Sequence, residues 1–238
     1  MADGVAAEGL YFLQGLSGEE KFQLRPKRDR LWGTNDSALD HYCDNVDLLN
    51  HSEGVAAIIQ QQLAGTEGNA GIDIAGGTNG VALQNLLSMG LLEKALVTNY
   101  EDRRSLATRL RLGWFGPLKH VKGHILDTRT WSQIADWQQQ VAPEGVALVM
   151  HRPDGGMQYL PPDFYKGAVH RLLDMIRPEG VMFAQVPHGL RDRHFSSLGG
   201  ICKSVATRPD VDWVDSSKIS VGPDETNRVG NCVVIVKN

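Results

Sequence analysis

The chain has 238 residues, of which 42% are hydrophobic, and a formal net charge of −4. That length suits one globular domain with a small appendage, burying roughly 70–75% of its unfolded surface without staples. An acidic balance, with a pI near 6.0, argues against a general nucleic-acid or membrane-surface binder but leaves room for a local basic patch.

The N-terminal stretch MADGVAAEGLYFLQG has no basic n-region and no long apolar segment, so a signal peptide is not expected. No apolar run approaches the ~20 residues that span a bilayer. Cys43, Cys202 and Cys232 are widely separated, without CxxC or Cys/His metal spacing, which implies a reduced, cytoplasmic protein. Residues 1–50 are expected to form an N-terminal lid or extension, and 51–238 the main domain. Within the extension, Arg25-Pro26-Lys27-Arg28-Asp29-Arg30 is a basic knot, Gly33 to Asp36 a loop, and Ser37 to Asn50 has helical spacing. Ser52 is placed to cap a helix with Val55, Ile58, Ile59 and Leu63 on one face.

Strands and helices then alternate. Ile72 to Ala75 reads as a buried strand, Ala75 to Gly80 as a small-residue bend, and Gly80 to Leu87 as a helix. Ala95 to Asn99 is the next strand, Glu101 to Leu112 a basic helix, His120 to Leu126 a third strand, and Trp131 to Gln140 a helix. Val146 to Met150 is a fourth, strongly apolar strand. Pro161-Pro162-Asp163 starts a helix with Phe164, Ala168, Val169, Leu172, Leu173 and Ile176 on one face. Arg177-Pro178-Glu179-Gly180 ends it, and Val181 to Val186 is a fifth strand. Trp213 to Val221 and Asn231 to Lys237 read as an antiparallel hairpin. Apolar strands alternating with helices predict a parallel sheet covered on both faces, with the hairpin adding an antiparallel edge.

The segment Ala70-Gly-Ile-Asp-Ile-Ala-Gly-Gly-Thr-Asn-Gly-Val-Ala-Leu83 carries the clearest chemistry. A strand that runs through one acid, Asp73, into a Gly-rich turn and a helix N-terminus places bare backbone N–H groups against a ligand. This arrangement resembles the class I S-adenosylmethionine-dependent methyltransferases over about residues 50–238. In that family the first strand commonly ends in Asp-x-Gly-x-Gly-x-Gly. The matching residues here are Asp73, Ala75, Gly77 and Asn79, with Gly80 just after, and Gly76 and Thr78 between them. Alanine and asparagine stand where the family has glycine. The family's ribose-binding acid at the end of strand two falls on Glu101, with Asp102 beside it; two carboxylate oxygens match a vicinal diol. After strand three the family has Gly-Asp-x; here Gly123-His124-Ile125 departs from it, leaving Ile125 to cover adenine and Asp127 to reach its exocyclic amine. Arg177 to Gly180 looks like the family's Leu-x-Pro-Gly-Gly turn. The resemblance implies a Rossmann-like, seven-stranded, mostly parallel sheet with an N-terminal helical lid. It also implies S-adenosylmethionine as cofactor and methyl transfer to O, N or C of a small-molecule acceptor.

Ligands of open α/β sheets bind outside the carboxyl ends of the strands. Met150 and His151 end the fourth strand there, with Asp154 just beyond; His151 is the candidate general base. A packed histidine in a capped loop is the alternative for that position. His188 and His194 are further candidates on the same rim. His120 and His124 lie in an extended segment, and no metal site is expected. The segment 150–156 is not the Asn/Asp-Pro-Pro-aromatic motif of methyltransferases acting on nucleobase or glutamine amines. The partner expected is a small molecule, with no nucleic acid and no membrane. A dinucleotide is the rival ligand, because Ala75-x-Gly77-x-x-Gly80 fits a loose G-x-G-x-x-G and Glu101 lies about 20 positions on. A methyltransferase fold with a non-methylating role is the third reading.

Overall fold

The computed structural model describes residues 54–77, 79–99, 104–107, 109, 116–123, 127–151, 162–186, 203–216 and 231–238. The extension at 1–50 lies outside them. In chain order the elements are α1 (Val55–Leu63), β1 (Ala70–Ile74), α2 (Val81–Ser88), β2 (Lys94–Asn99), β3 (Leu118–Lys122), α3 (Thr128–Val141), β4 (Val146–His151), α4 (Pro162–Asp174), β5 (Ile176–Val186), β6 (Val211–Ser216) and β7 (Asn231–Lys237).

The strands form one seven-stranded sheet in the order β3-β2-β1-β4-β5-β7-β6. The ladders from β3 to β5 are parallel, and β7 runs antiparallel between β5 and β6. The sequence reading of a mostly parallel sheet closed by an antiparallel pair therefore holds. β1 and β4 are buried along their whole length, as strands covered on both faces must be. One face packs Val55, Ile58, Ile59 and Leu63 of α1 and Ala82, Leu83 and Leu86 of α2 against Val97, Met150, Phe183 and Val234. The other packs Trp131 and Ile134 of α3 and Val169, Leu172 and Leu173 of α4 against Ile72, Ile74, Leu96, Val149 and Val233. Each such aliphatic side chain contributes about 1.5–3 kcal/mol by leaving water. No helix among the described residues is long and apolar enough to cross a membrane.

Several boundaries differ from the sequence reading, among them Ile176, expected on the face of α4, which opens β5 because α4 ends at Asp174. Helix α1 is capped at Gly54, with no side-chain cap bond; Ser52, the expected cap, lies outside the described residues. Strand three begins at Leu118, because the ladder to β2 runs from Ala95↔Leu118 to Asn99↔Lys122. The residues 177–180, read as a turn, are drawn into β5: Val146 pairs with Ile176 and Leu148 with Val181, so the intervening residues bulge from the ladder. Glu179 takes φ 63 there. Gly145 faces the bulge at φ 112, where a Cβ would meet Arg177 N at 2.5 Å.

Candidate functional site

The chain leaves β1 toward β2 and β3, then returns to β4 on the other side. The crevice beyond the carboxyl ends of β1 and β4 is therefore the topological switch point, where ligands of open α/β sheets bind. Three of the sequence-predicted elements converge there: Asp73 with the bend that follows it, the N-terminus of α2, and Met150-His151.

Asp73 is 1% exposed. It is in register with Val97 and Met150, and it shares a face with Gly71, whose Cβ position abuts Leu83 and Leu92 on the α2 side. Its carboxylate lies directly against the main chain of Gly76. A Cβ on Gly76 would run into Asp73 Oδ2 and Cγ, so only glycine fits. The bend takes left-handed backbone at Ala75 (φ 61), Gly77 (φ 86) and Gly80 (φ 63). For Ala75 this conformation costs roughly 1–2 kcal/mol, which glycine would not incur. The Ala75 N–H donates to Thr98 Oγ1 across 3.1 Å. Gly80 is the N-cap of α2, without a capping side chain. Gln84 Nε2 donates to the Asn79 carbonyl at 2.7 Å, closing the bend onto the helix.

His151 closes β4 opposite Ile74 and Ala184. Strand alternation turns it to the α3/α4 face, away from the face that Asp73 occupies. It is 1% exposed, and burial pushes its pKa down to about 3. The ring is therefore neutral throughout the physiological range. Met150, 2% exposed, lies beside Asp73 in the apolar cluster of the α1/α2 face.

Asp127 has a structural task. It is the N-cap of α3, and its Oδ1 accepts from Arg129 N at 2.9 Å. Thr78, Glu101, Asp102, His124, Ile125, Asp154, His188 and His194 lie outside the described residues. Among the described residues, no group of three His, Cys, Asp or Glu side chains is placed to hold a metal ion. A second buried acid, Asp215, shares the sheet row of Asp73 through Met150, Phe183 and Val234. Four strand spacings of ~4.8 Å separate the two acids, too far for one ligand amino group to meet both. The sequence reading does not single out Thr98; its one signal is a hydroxyl in the otherwise apolar run Ala95-Leu96-Val97.

No family model and no curated protein matches the sequence. Solved structures share its fold. A Clostridium thermocellum protein assigned as an rRNA-methylase is 16% identical with a TM-score of 0.53, and the match covers 76% of this chain and 93% of that one. A Streptococcus mutans protein assigned to the S-adenosylmethionine-dependent methyltransferases is 12% identical at TM-score 0.50, covering 76% of this chain and 48% of that one. An rRNA methylase from Streptococcus thermophilus is 13% identical at TM-score 0.47, covering 75% and 93%. The chain has the class I methyltransferase fold, as its sequence resemblance implies. The expectation that nucleic acid is excluded as a partner is corrected here, since this fold is shared with a protein assigned to rRNA methylation. The physical reason is that a net charge summed over a chain does not report the charge along one edge of its sheet.

Proposed function

We propose that this chain transfers a methyl group from S-adenosylmethionine to an O, N or C atom of an acceptor. The observation that carries the reading is the buried Asp73 carboxylate packed against Gly76, beneath a three-point left-handed bend at the switch point of the sheet. The donor is a cation with an ammonium at one end, and a buried carboxylate beside bare main chain suits that end. The antiparallel β7 also departs from the 3-2-1-4-5-6 order of dinucleotide-binding sheets, which disfavours the nicotinamide alternative.

When bound, S-adenosylmethionine supplies a methyl group already activated on sulfonium. The residues of the chain orient and enclose it. Asp73, Ala75, Gly76, Gly77, Thr78, Asn79 and Gly80 hold the methionine end. Glu101, with Asp102 adjacent, takes the ribose hydroxyls; Ile125 and Asp127 take the adenine; Met150 lies beneath. Catalysis rests mainly on alignment, which brings the nucleophile to ~3–3.5 Å in line with the bond that breaks. His151 is the candidate base for an O–H nucleophile only where the acceptor reaches it from the α3/α4 side of the sheet, because it faces away from Asp73 and burial lowers its basicity. A nitrogen or carbon nucleophile that is already unprotonated needs no such base. The division into an extension at 1–50 and a donor-binding domain at 51–238 belongs to the same proposal, as does a cytoplasmic setting.

Calorimetry tests the donor. S-adenosylhomocysteine is expected to bind and NADPH not to. Asp73→Asn and Glu101→Ala are each expected to weaken binding at least tenfold, about 1.4 kcal/mol, in folded protein. Binding of NADPH alone, or unchanged affinity in both variants, eliminates the reading. Transfer of labelled methyl groups onto total RNA, compared with a panel of small nucleophiles, then identifies the acceptor.

A further inference from the structure

The bend turns first at Ala75, a residue with a side chain in a conformation that favours glycine. Something must hold it there. The Ala75 N–H donates to Thr98 Oγ1 at 3.1 Å. Thr98 is 4% exposed, so water has little access to replace it. The location is set by pairing: Ile74 is in register with Thr98, which puts the hydroxyl beside the first residue beyond the strand. Gly76, which follows Ala75, is the residue that receives the Asp73 carboxylate. A change at Ala75 therefore propagates at once into the acid and the bare main chain.

We infer that Thr98 is a positioning residue for the donor site: its hydroxyl holds Ala75 left-handed and so sets the aim of Gly76, Gly77 and Asp73. The inference rests on the donor reading above. Valine has the shape of threonine but no acceptor, and it would take this partner from the half-buried Ala75 N–H. Serine keeps the acceptor. Glycine at position 75 adopts positive φ without a tether.

The test is the affinity of the full chain for S-adenosylhomocysteine, measured well below the melting temperature of each variant, together with amide exchange across residues 75–77 in ligand-free protein. Thr98→Val is expected to weaken binding about tenfold or more and to speed exchange at the bend. Thr98→Ser is expected to bind like the parent. Ala75→Gly combined with Thr98→Val is expected to recover most of the loss. Should Thr98→Val fail to fold, Thr98→Ala makes the same deletion with less crowding and carries the same expectation. A Thr98→Val protein that melts earlier but binds with unchanged affinity overturns the inference while leaving the donor reading intact. So does a loss that Ala75→Gly does not repair. An absence of binding in the parent protein overturns both.

Discussion

His151 sits at the mouth of the switch point, yet its environment is that of the core. Its folded pKa of about 3 lies below the ordinary 6.5. Between those values the unfolded chain binds a proton that the native chain does not. The contribution is thus fully present above pH 6.5 and is lost as pH falls toward 3, by up to about 1.4 kcal/mol per pH unit. Denaturant titrations between pH 7 and 4 are expected to show this slope, and His151→Gln is expected to reduce it to the part that His170 adds, whose pKa burial and Arg208 also lower. An unchanged slope in the variant would refute the assignment. Asp210 does not confuse the measurement. Its hydrogen bond from Arg208 lowers its pKa to about 2, so its contribution fades mainly as pH falls through the usual value of 3.8, at the foot of that window. Asp73 was legible because a carboxylate within an apolar run is costly to bury, so its place just before a Gly-rich bend stands out in the linear chain. The burial of His151 was not, because alternation alone does not say which neighbours remove the water.

The β5 bulge shows how one strand absorbs a turn. Pro178 and Gly180 frame Glu179, which is exposed and left-handed at φ 63. Relief of the left-handed cost, roughly 1–2 kcal/mol, exceeds the roughly 0.5–1 kcal/mol of added chain entropy that glycine brings. Glu179→Gly is therefore expected to raise the melting temperature by about 1–4 °C, readable by calorimetry. A lower melting temperature would show that the side chain is held by something besides backbone geometry. The helices α1, α2 and α4 were readable from their apolar spacing. The third strand was displaced in the sequence reading because His120 to Leu126 looks apolar enough locally, whereas the strand is set by its ladder to β2.

A polar knot ties the C-terminal strands to α4. Arg208 Nη2 reaches Asp174 and Asp210, each at 2.7 Å, and its Nη1 lies 3.3 Å from His170 Nδ1. Because a guanidinium only donates, Nδ1 accepts and Nε2–H points at Ser204 Oγ, 2.9 Å away. Lys237 Nζ donates to the carbonyls of Leu173 and Ile176, finishing α4 at its negative end. These contacts fasten α4 to the short helical turn at 203–206 and to β7, and none involves Asp73 or the bend. Arg208→Met is expected to lower the melting temperature by a few degrees, about 1–2 kcal/mol given the partial exposure of its partners. Affinity for S-adenosylhomocysteine is expected to stay within twofold. A variant that loses binding while keeping its melting temperature would mean that this knot shapes the donor crevice.

Apolar alternation, helical spacing and glycine punctuation are properties of neighbouring residues. For that reason the strand–helix order, the acid in β1 and the small-residue bend were all readable from the linear chain. Pairing between distant segments is not such a property. That β7 enters antiparallel between β5 and β6, that Thr98 stands beside Ala75, and that Asp73 and His151 face opposite sides of one sheet were decided by ladders joining residues far apart in sequence. Hydrogen-bond register assigns each side chain its face and its solvent, and register exists only once the strands have met.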